Sequence, residues 1–508
     1  MVTPKDTKPT SQAQAAEAAR QTAGARARRS IVAVLGGMAG QEGLRFLGHF
    51  ILVRLLPREA FGIVLLVNVV LRGFRLFSDV GIGPSIIQSP DGGKQEFLDT
   101  AWTVQVVRGV VLFLATVLFA APIAAFYEQP ILASLLPAAA ISMVLQGLNS
   151  TKIFSANREL TMGRVVRMEL SERVAALIVM VAWARISPTV WALVAGGVVA
   201  ALVTTVLSHL SLPGPGNRLR WDRDHLGAML SFGRWVFLGT VITFLASELD
   251  SLMFGKWMSM SELGVYAVAI TLTKIPERAI AVLSRRIVFP LYADAMRQGH
   301  DIADVFARSR TLLFSASGWL MSGIAGGGAV IVAIIYPAEY ADAGWILSIL
   351  ALRVWIATLA DSNSNALLAA GLAKWNAAGW AIRLAALGST VPLGFWLGGF
   401  PMAVVFVAAS ELPRYVLTSI LVYPMGLHGR AQDAGYSCLF VLASALSWAS
   451  VHVLRQHEAP AFVLAPLVFV LCSAVWAPKL LPVIRAELAR RHPPITRSKK
   501  PPAVRIGH

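Results

Sequence analysis

The chain has 508 residues, 56% of them hydrophobic and only 14% charged, with a mean hydropathy of +0.63. A soluble protein carries nearer a quarter charged residues, so this composition excludes an ordinary soluble enzyme or binding domain. The net charge of +17 would suit a nucleic-acid partner, but most of it lies in the tails and one set of loops, so no nucleic acid is expected.

Mostly apolar segments of about 20 residues recur along the whole chain, and the short alternating segments of a β-barrel are absent. The pattern predicts an all-α integral membrane protein. Residues 1–30 read as a basic tail, followed by fourteen spans. The expected limits are 31–56, 61–88, 101–126, 131–150, 171–186, 190–210, 232–256, 263–290, 311–336, 344–369, 378–397, 402–425, 436–454 and 461–482, with a basic tail over 483–508. Of the 45 Lys and Arg residues, 30 collect on the side of the N-terminus, 5 on the other, and the rest lie within spans. That asymmetry predicts that both termini are cytoplasmic.

The first two spans form a hairpin around the turn Leu56–Gly62, and each carries ionisable residues on one face. Glu42, Arg45 and His49 share one face; Arg72, Arg75 and Asp79 share the other. Arg45, Arg72 and Arg75 fall roughly 15–20 Å from their helix ends, near the middle of a slab about 30 Å thick. A charge there costs at least ~2.5–3.5 kcal/mol, so it must face protein or a watery cavity. With Arg108, the arginines of this region outnumber Glu42 and Asp79. In the later spans Lys274, Arg278, Arg353, Arg383 and Arg414 are balanced by Glu248, Asp250, Glu277, Asp361 and Glu411. Two readings stand side by side: a cavity for an anionic headgroup, with arginine forks suited to phosphate oxygens, or ion pairs that fix helix packing. Arg45, Arg72, Arg75, Lys274, Arg278 and His49 are the candidate substrate ligands. Arg108, Arg353 and Arg383 are expected to snorkel towards the interfaces as structural residues, and Glu411 to neutralise Arg414.

The polar run Asp361-Ser362-Asn363-Ser364-Asn365 reads either as interhelical hydrogen bonding or as a lining for sugar hydroxyls, which makes Asp361, Asn363 and Asn365 candidates too. Glu42, Asp79 and Asp250 are the weaker candidates for ion coupling. Cys438 and Cys472 lie in apolar spans and read as core residues with no disulfide or metal role. No Walker A sequence, metal-ligand cluster or large loop that could cover an active site is present, so neither an enzyme nor a cofactor is expected.

Two short features recur. Phe61-Gly62 enters the second span as Leu263-Gly264 enters the eighth, and Tyr127 ends the third as Tyr336 ends the ninth. Six spans separate the copies, which predicts two parallel six-helix lobes: an N-lobe over 31–210, a linker over 211–231, a C-lobe over 232–425, and a C-terminal pair over 436–482.

Six stretches carry a family likeness: Arg54–Gly62 (RLLPREAFG), Ser78–Gln88 (SDVGIGPSIIQ), Phe126–Pro130 (FYEQP), Phe232-Gly233, Leu249–Gly255 (LDSLMFG) and Glu262–Ala269 (ELGVYAVA). Over roughly residues 35–350 the chain resembles the Wzx-type oligosaccharide flippases, the polysaccharide transporter branch of the MOP exporter superfamily. The resemblance implies about fourteen helices in a V-shaped, MATE-like fold, in the plasma (inner) membrane of a bacterium. It implies alternating access that moves an undecaprenyl-diphosphate-linked oligosaccharide outward for exopolysaccharide, O-antigen or capsule assembly, with a polysaccharide polymerase and glycosyltransferases as partners. A multidrug or cation antiporter of the same superfamily, which prefers an acidic cavity, and a non-transporting scaffold for glycosyltransferases are the alternatives.

Overall fold

Where water cannot satisfy backbone polar groups, helices are the economical solution, and the computed structural model is helical throughout, with no strand among the described residues. It describes residues 36–78, 81–159, 161–298, 302–457 and 460–491, so Asp79 and most of both basic tails lie outside them. In chain order the helices are α1 (36–52), α2 (Arg58–Leu76), α3 (Ile82–Gln88), α4 (Gln95–Phe126), α5 (Leu132–Gly147), α6 (Lys152–Arg158), α7 (Gly163–Ile186) and α8 (Trp191–Leu210). Then follow α9 (Arg223–Trp257), α10 (Met260–Leu283), α11 (Phe289–Gln298), α12 (Ile302–Ile335), α13 (Ala343–Ala369), α14 (Ala373–Ala409), α15 (Glu411–Val422), α16 (Arg430–Gln456) and α17 (Ala461–Arg491).

Where they are described, the expected spans fall largely on helix, but the count of fourteen crossings is not confirmed. Among the described residues seven helices are long and apolar enough to cross a membrane, or eight if α5 and α6, bent by 58° to each other, form one span. Two of the expected spans are interrupted by charge, α2 by Glu59, Arg72 and Arg75 and α10 by Lys274, Glu277 and Arg278. Helix α14 is kinked at Gly398-Gly399, where Gly399 has φ +65°, so the expected spans 378–397 and 402–425 are its two arms continued by α15.

The expected single helix over 61–88 is broken. α2 stops at Leu76, Gly81 takes a left-handed conformation (φ +68°, ψ +31°), and α3 restarts at Ile82. Gly81 reaches that conformation without the Cβ clash that other residues meet, and Pro84, with no N–H to donate, is tolerated in the opening turn of α3. Arg72 and Arg75 therefore sit in and beside the last turn of a helix, not in the middle of a long one. α10 begins on a capping box: the Ser259 N–H donates to Glu262 Oε2 (3.0 Å) and the Glu262 N–H to Ser259 Oγ (3.3 Å).

The chain divides into two compact units. The first is Met1–Ile275, Val332–Ile346 and Ala377–Ser410. Here glycines set the approach of helices. A Cβ at Gly37, Gly40 or Gly48 of α1 would meet Val166, Leu170 or Leu177 of α7, and one at Gly109 of α4 would meet the backbone of α5 at Met143 and Gly147.

The second unit is Pro276–Ile331, Leu347–Asn376 and Glu411–His508. Its core centres on Trp355, which stacks on Phe440 (centroids 5.1 Å apart) and meets Phe314 and Trp476 edge-on. Thus α16 and α17 contribute to the same core as α12 and α13. A fully buried ion pair joins Arg310 of α12 to Asp433 of α16. Asp433 also accepts from the Tyr415 hydroxyl (2.9 Å), and the guanidinium lies over Phe306 and Phe314. Both cysteines are free. Cys472 is in the core as expected, whereas Cys438 is exposed because it falls on the outward face of α16.

Candidate functional site

The break between α2 and α3 leaves carbonyls at the end of α2 without partners within the helix. Arg108 of α4 supplies them: Nη2 donates to the Arg75 carbonyl (2.6 Å) and Nε to Ser78 Oγ (2.9 Å), while Ser78 Oγ donates to the same carbonyl (2.9 Å). At the end of α5, Gln105 Nε2 lies 3.0–3.1 Å from the carbonyls of Gln146, Gly147 and Asn149. Between these two helix ends lies a cavity of about 340 Å³. Arg75, Gln105, Arg108, Gln146, Asn149 and Phe154 contribute to its lining. Arg108 is committed to the Arg75 carbonyl and the Ser78 hydroxyl. The Arg75 side chain, half-buried, has no carboxylate partner among the described residues.

One turn earlier, Arg72 forms an ion pair with Glu248 of α9, and Lys274 Nζ of α10 stands 3.7 Å from the same carboxylate. Arg72 and Lys274 thus share one acid, and Arg75 follows Arg72 by one turn on α2. Arg45 is apart from it, paired with Glu42 on its own helix (3.5 Å). His49 packs edge-on against Phe61 and Tyr336, centroids 5.4 and 5.6 Å away, and its buried Nε2 has no hydrogen-bond partner among the described residues. Asp250 accepts from the Tyr266 hydroxyl. Asp79 lies outside the described residues.

The second unit's candidates are spent on one another. Arg414 pairs with Asp361 and, at 3.5 Å, with Glu411; Arg353 reaches Glu277 (3.0 Å) and Glu411 (3.7 Å). Asn363 donates to Ser419 (3.1 Å) and Asn365 to Ser284 (2.6 Å). Arg278 is exposed on α10. The expected snorkelling does not occur. Arg383 is buried, donates to the Ala246 carbonyl and faces the Trp380 ring, while Arg353 is held inside by its two acids. Paired or backbone-bound guanidinium groups need no water, so their depth in the protein is tolerated.

Two features escaped the reading of the sequence: Glu248 as the partner shared by Arg72 and Lys274, and the amide side chains around Arg75. Gln105 and Arg108, and likewise Gln146 and Asn149, are polar pairs at i, i+3 in apolar stretches, a spacing that marks a lined helix face. Beyond the spans, Glu128 is bound by Lys256 Nζ (2.7 Å), and that hydrogen bond and charge hold its carboxyl below the usual carboxylate range.

Apolar helices, ion pairs between them and a cavity at a helix break lined by arginine and amide side chains define a multi-pass helical membrane protein of the transporter fold. The fold is similar to the lipid II flippase MurJ in its inward closed conformation, with a TM-score of 0.66 at 12% identity over 89% of this chain and 99% of that one. It is also similar to an inward-facing multidrug resistance MATE family transporter of the MOP superfamily, at 0.56 and 12% over 78% and 95%. At that identity the likeness is one of fold. The family described as "Polysaccharide biosynthesis protein" matches residues 51–345, more than half of the chain, and the chain belongs to it.

Among named relatives, the teichuronic acid biosynthesis protein TuaB of Bacillus subtilis (strain 168) is 21% identical over 58% of this chain and 61% of its own length. The lipopolysaccharide biosynthesis protein WzxC of Escherichia coli (strain K12) is 24% identical over 49% and 51%. The chain thus spans less than two thirds of either. The succinoglycan biosynthesis transport protein ExoT of Rhizobium meliloti (strain 1021) is 22% identical over 92% and 95%.

Proposed function

We propose that the protein is a flippase that moves an undecaprenyl-diphosphate-linked oligosaccharide from the cytoplasmic to the outer leaflet of a bacterial inner membrane, by alternating access, for polysaccharide assembly. The observation that carries this reading is the set of cations Arg72, Arg75 and Lys274 on α2 and α10, with Arg75 lining a half-open cavity. A diphosphate is the membrane cargo whose charge calls for such partners, and a guanidinium can bind two of its oxygens at once. Membership of the polysaccharide biosynthesis family and the fold shared with MurJ support it. A multidrug antiporter shares the fold, but an arginine-lined cavity repels the organic cations it exports. The Lys and Arg distribution supports cytoplasmic termini, where a glycosyltransferase would hand over the finished lipid-linked glycan and from which a polymerase on the far side would be supplied.

Deletion of the gene tests the reading: a lipid-diphosphate-linked oligosaccharide is expected to accumulate on the cytoplasmic side and to clear on re-expression. Normal outward transfer in the deletion strain would refute it.

A further inference from the structure

Glu248 is buried behind two accessible cations. Its side chain is 4% exposed, whereas those of Arg72 and Lys274 are 44% and 30% exposed. Arg72 commits Nη1 to the carboxylate, and among the described residues its other N–H groups have no acceptor. Lys274, 3.7 Å away, feels the charge but is too far for a hydrogen bond, so its donors are likewise uncommitted. The pair Arg310–Asp433 differs in kind: both partners are buried, one cation to one acid. Glu411 likewise serves two cations, but each of those, Arg353 and Arg414, also has a second acid. Here one acid on α9 holds cations from α2 and α10, leaves a net positive charge, and leaves the outer donors of both open.

We infer that Glu248 is a resident counter-anion for the transport site: it holds Arg72 and Lys274 when no cargo is bound and competes with the cargo's phosphates when cargo arrives. The inference rests on the flippase reading above and adds what that reading lacks, a way to let go. A transport site must be deep enough to fill and shallow enough to empty. Two uncompensated cations in a low-dielectric interior would hold a diphosphate too long. A fixed carboxylate beside them weakens the hold by like-charge repulsion and takes the cations back as the diphosphate leaves.

The test uses the full-length protein in detergent, titrated with geranylgeranyl diphosphate and with geranylgeraniol as the uncharged control. Arg72→Ala and Lys274→Ala are each expected to weaken diphosphate binding roughly tenfold. Glu248→Gln, which keeps shape and an acceptor for Arg72 but removes the charge, is expected to tighten it roughly tenfold and to slow export in cells. Unchanged binding in both cation variants overturns the site itself. Weakened binding there, with unchanged or weaker binding in a folded Glu248→Gln protein, overturns only the counter-anion. Should the Gln variant fail to fold, Glu248→Asp, whose charge is drawn back by one methylene, is expected to tighten binding by a smaller factor. No tightening in that protein overturns the inference.

Discussion

Gly62 and Gly264 meet backbone to backbone. A Cβ on Gly62 would strike the Met260 carbonyl oxygen and come within 3.0 Å of the Gly264 nitrogen; a Cβ on Gly264 would strike the Arg58 carbonyl. These are the glycines of the repeated pairs Phe61-Gly62 and Leu263-Gly264, so the two copies of the motif pack on each other where α2 and α10 begin. Because backbone cannot yield as a side chain does, Gly62→Ala and Gly264→Ala are each expected to cost at least the ~1–3 kcal/mol of ordinary overpacking. Thermal unfolding in detergent measures it. Gly36→Ala, where no described residue lies within 4 Å of the added Cβ, is the neutral control.

Arg75 and Arg108 are adjacent in the same cavity but do different work, and the variants should separate them. Arg75→Ala is expected to abolish export with little change in stability, because its guanidinium bonds no other described group. Arg75→Lys keeps the charge, loses the two-pronged fork, and should export partially. Arg108→Ala removes one of the two donors to the Arg75 carbonyl and the donor to Ser78 Oγ, and is expected to cost about 1 kcal/mol of stability. Export per folded molecule, alongside melting temperature, checks all three.

The buried pair Arg310–Asp433 predicts a non-additive cycle. Either partner changed alone to Ala strands a charge in the core and is expected to cost about 3–5 kcal/mol. The joint replacement Arg310→Met, Asp433→Leu removes both charges and should recover most of it. Melting temperatures of the two single variants and the double variant decide this.

Glu128 is the one non-glycine residue with positive φ among the described residues (55°), at the end of α4 where the Gln129 N–H bonds back to the Ala124 carbonyl. Its carboxyl is held below its ordinary pKa by Lys256, so the pair's contribution is present above the unfolded carboxyl's pKa and is lost as pH falls through the lower, folded value. Glu128→Gln should lower the melting temperature slightly at neutral pH and low salt, and not at acid pH. Glu128→Gly loses the same pair but relieves the left-handed strain, so it should melt above the Gln variant at every pH.

Helical spans and the hairpin turn at Leu56–Gly62 were legible because hydropathy and short-range spacing encode them directly. The family likeness over residues 35–350 was legible too, and agrees with the match over 51–345. The break at Gly81 was not, since the apolar residues on either side average it away. Nor were the partners of the charges. Spacing along α2 puts Arg72 and Arg75 on one face, but which helix brings an acid to that face depends on packing between segments 176 residues apart. For the same reason Arg45 and Arg72, alike in sequence terms, part ways: one finds Glu42 three residues back, the other Glu248 across the fold.

The distance along the chain between Arg310 and Asp433 also bears on biosynthesis. The two are 123 residues apart, and a ribosome adding about 5–20 residues per second takes roughly 6–25 s to travel from one to the other. Throughout that interval the nascent guanidinium has no carboxylate to bury against and must be kept in contact with water, lipid headgroups or the insertion machinery. The second unit therefore cannot complete its core until α16, which supplies Tyr436, Phe440 and Ala443, has emerged.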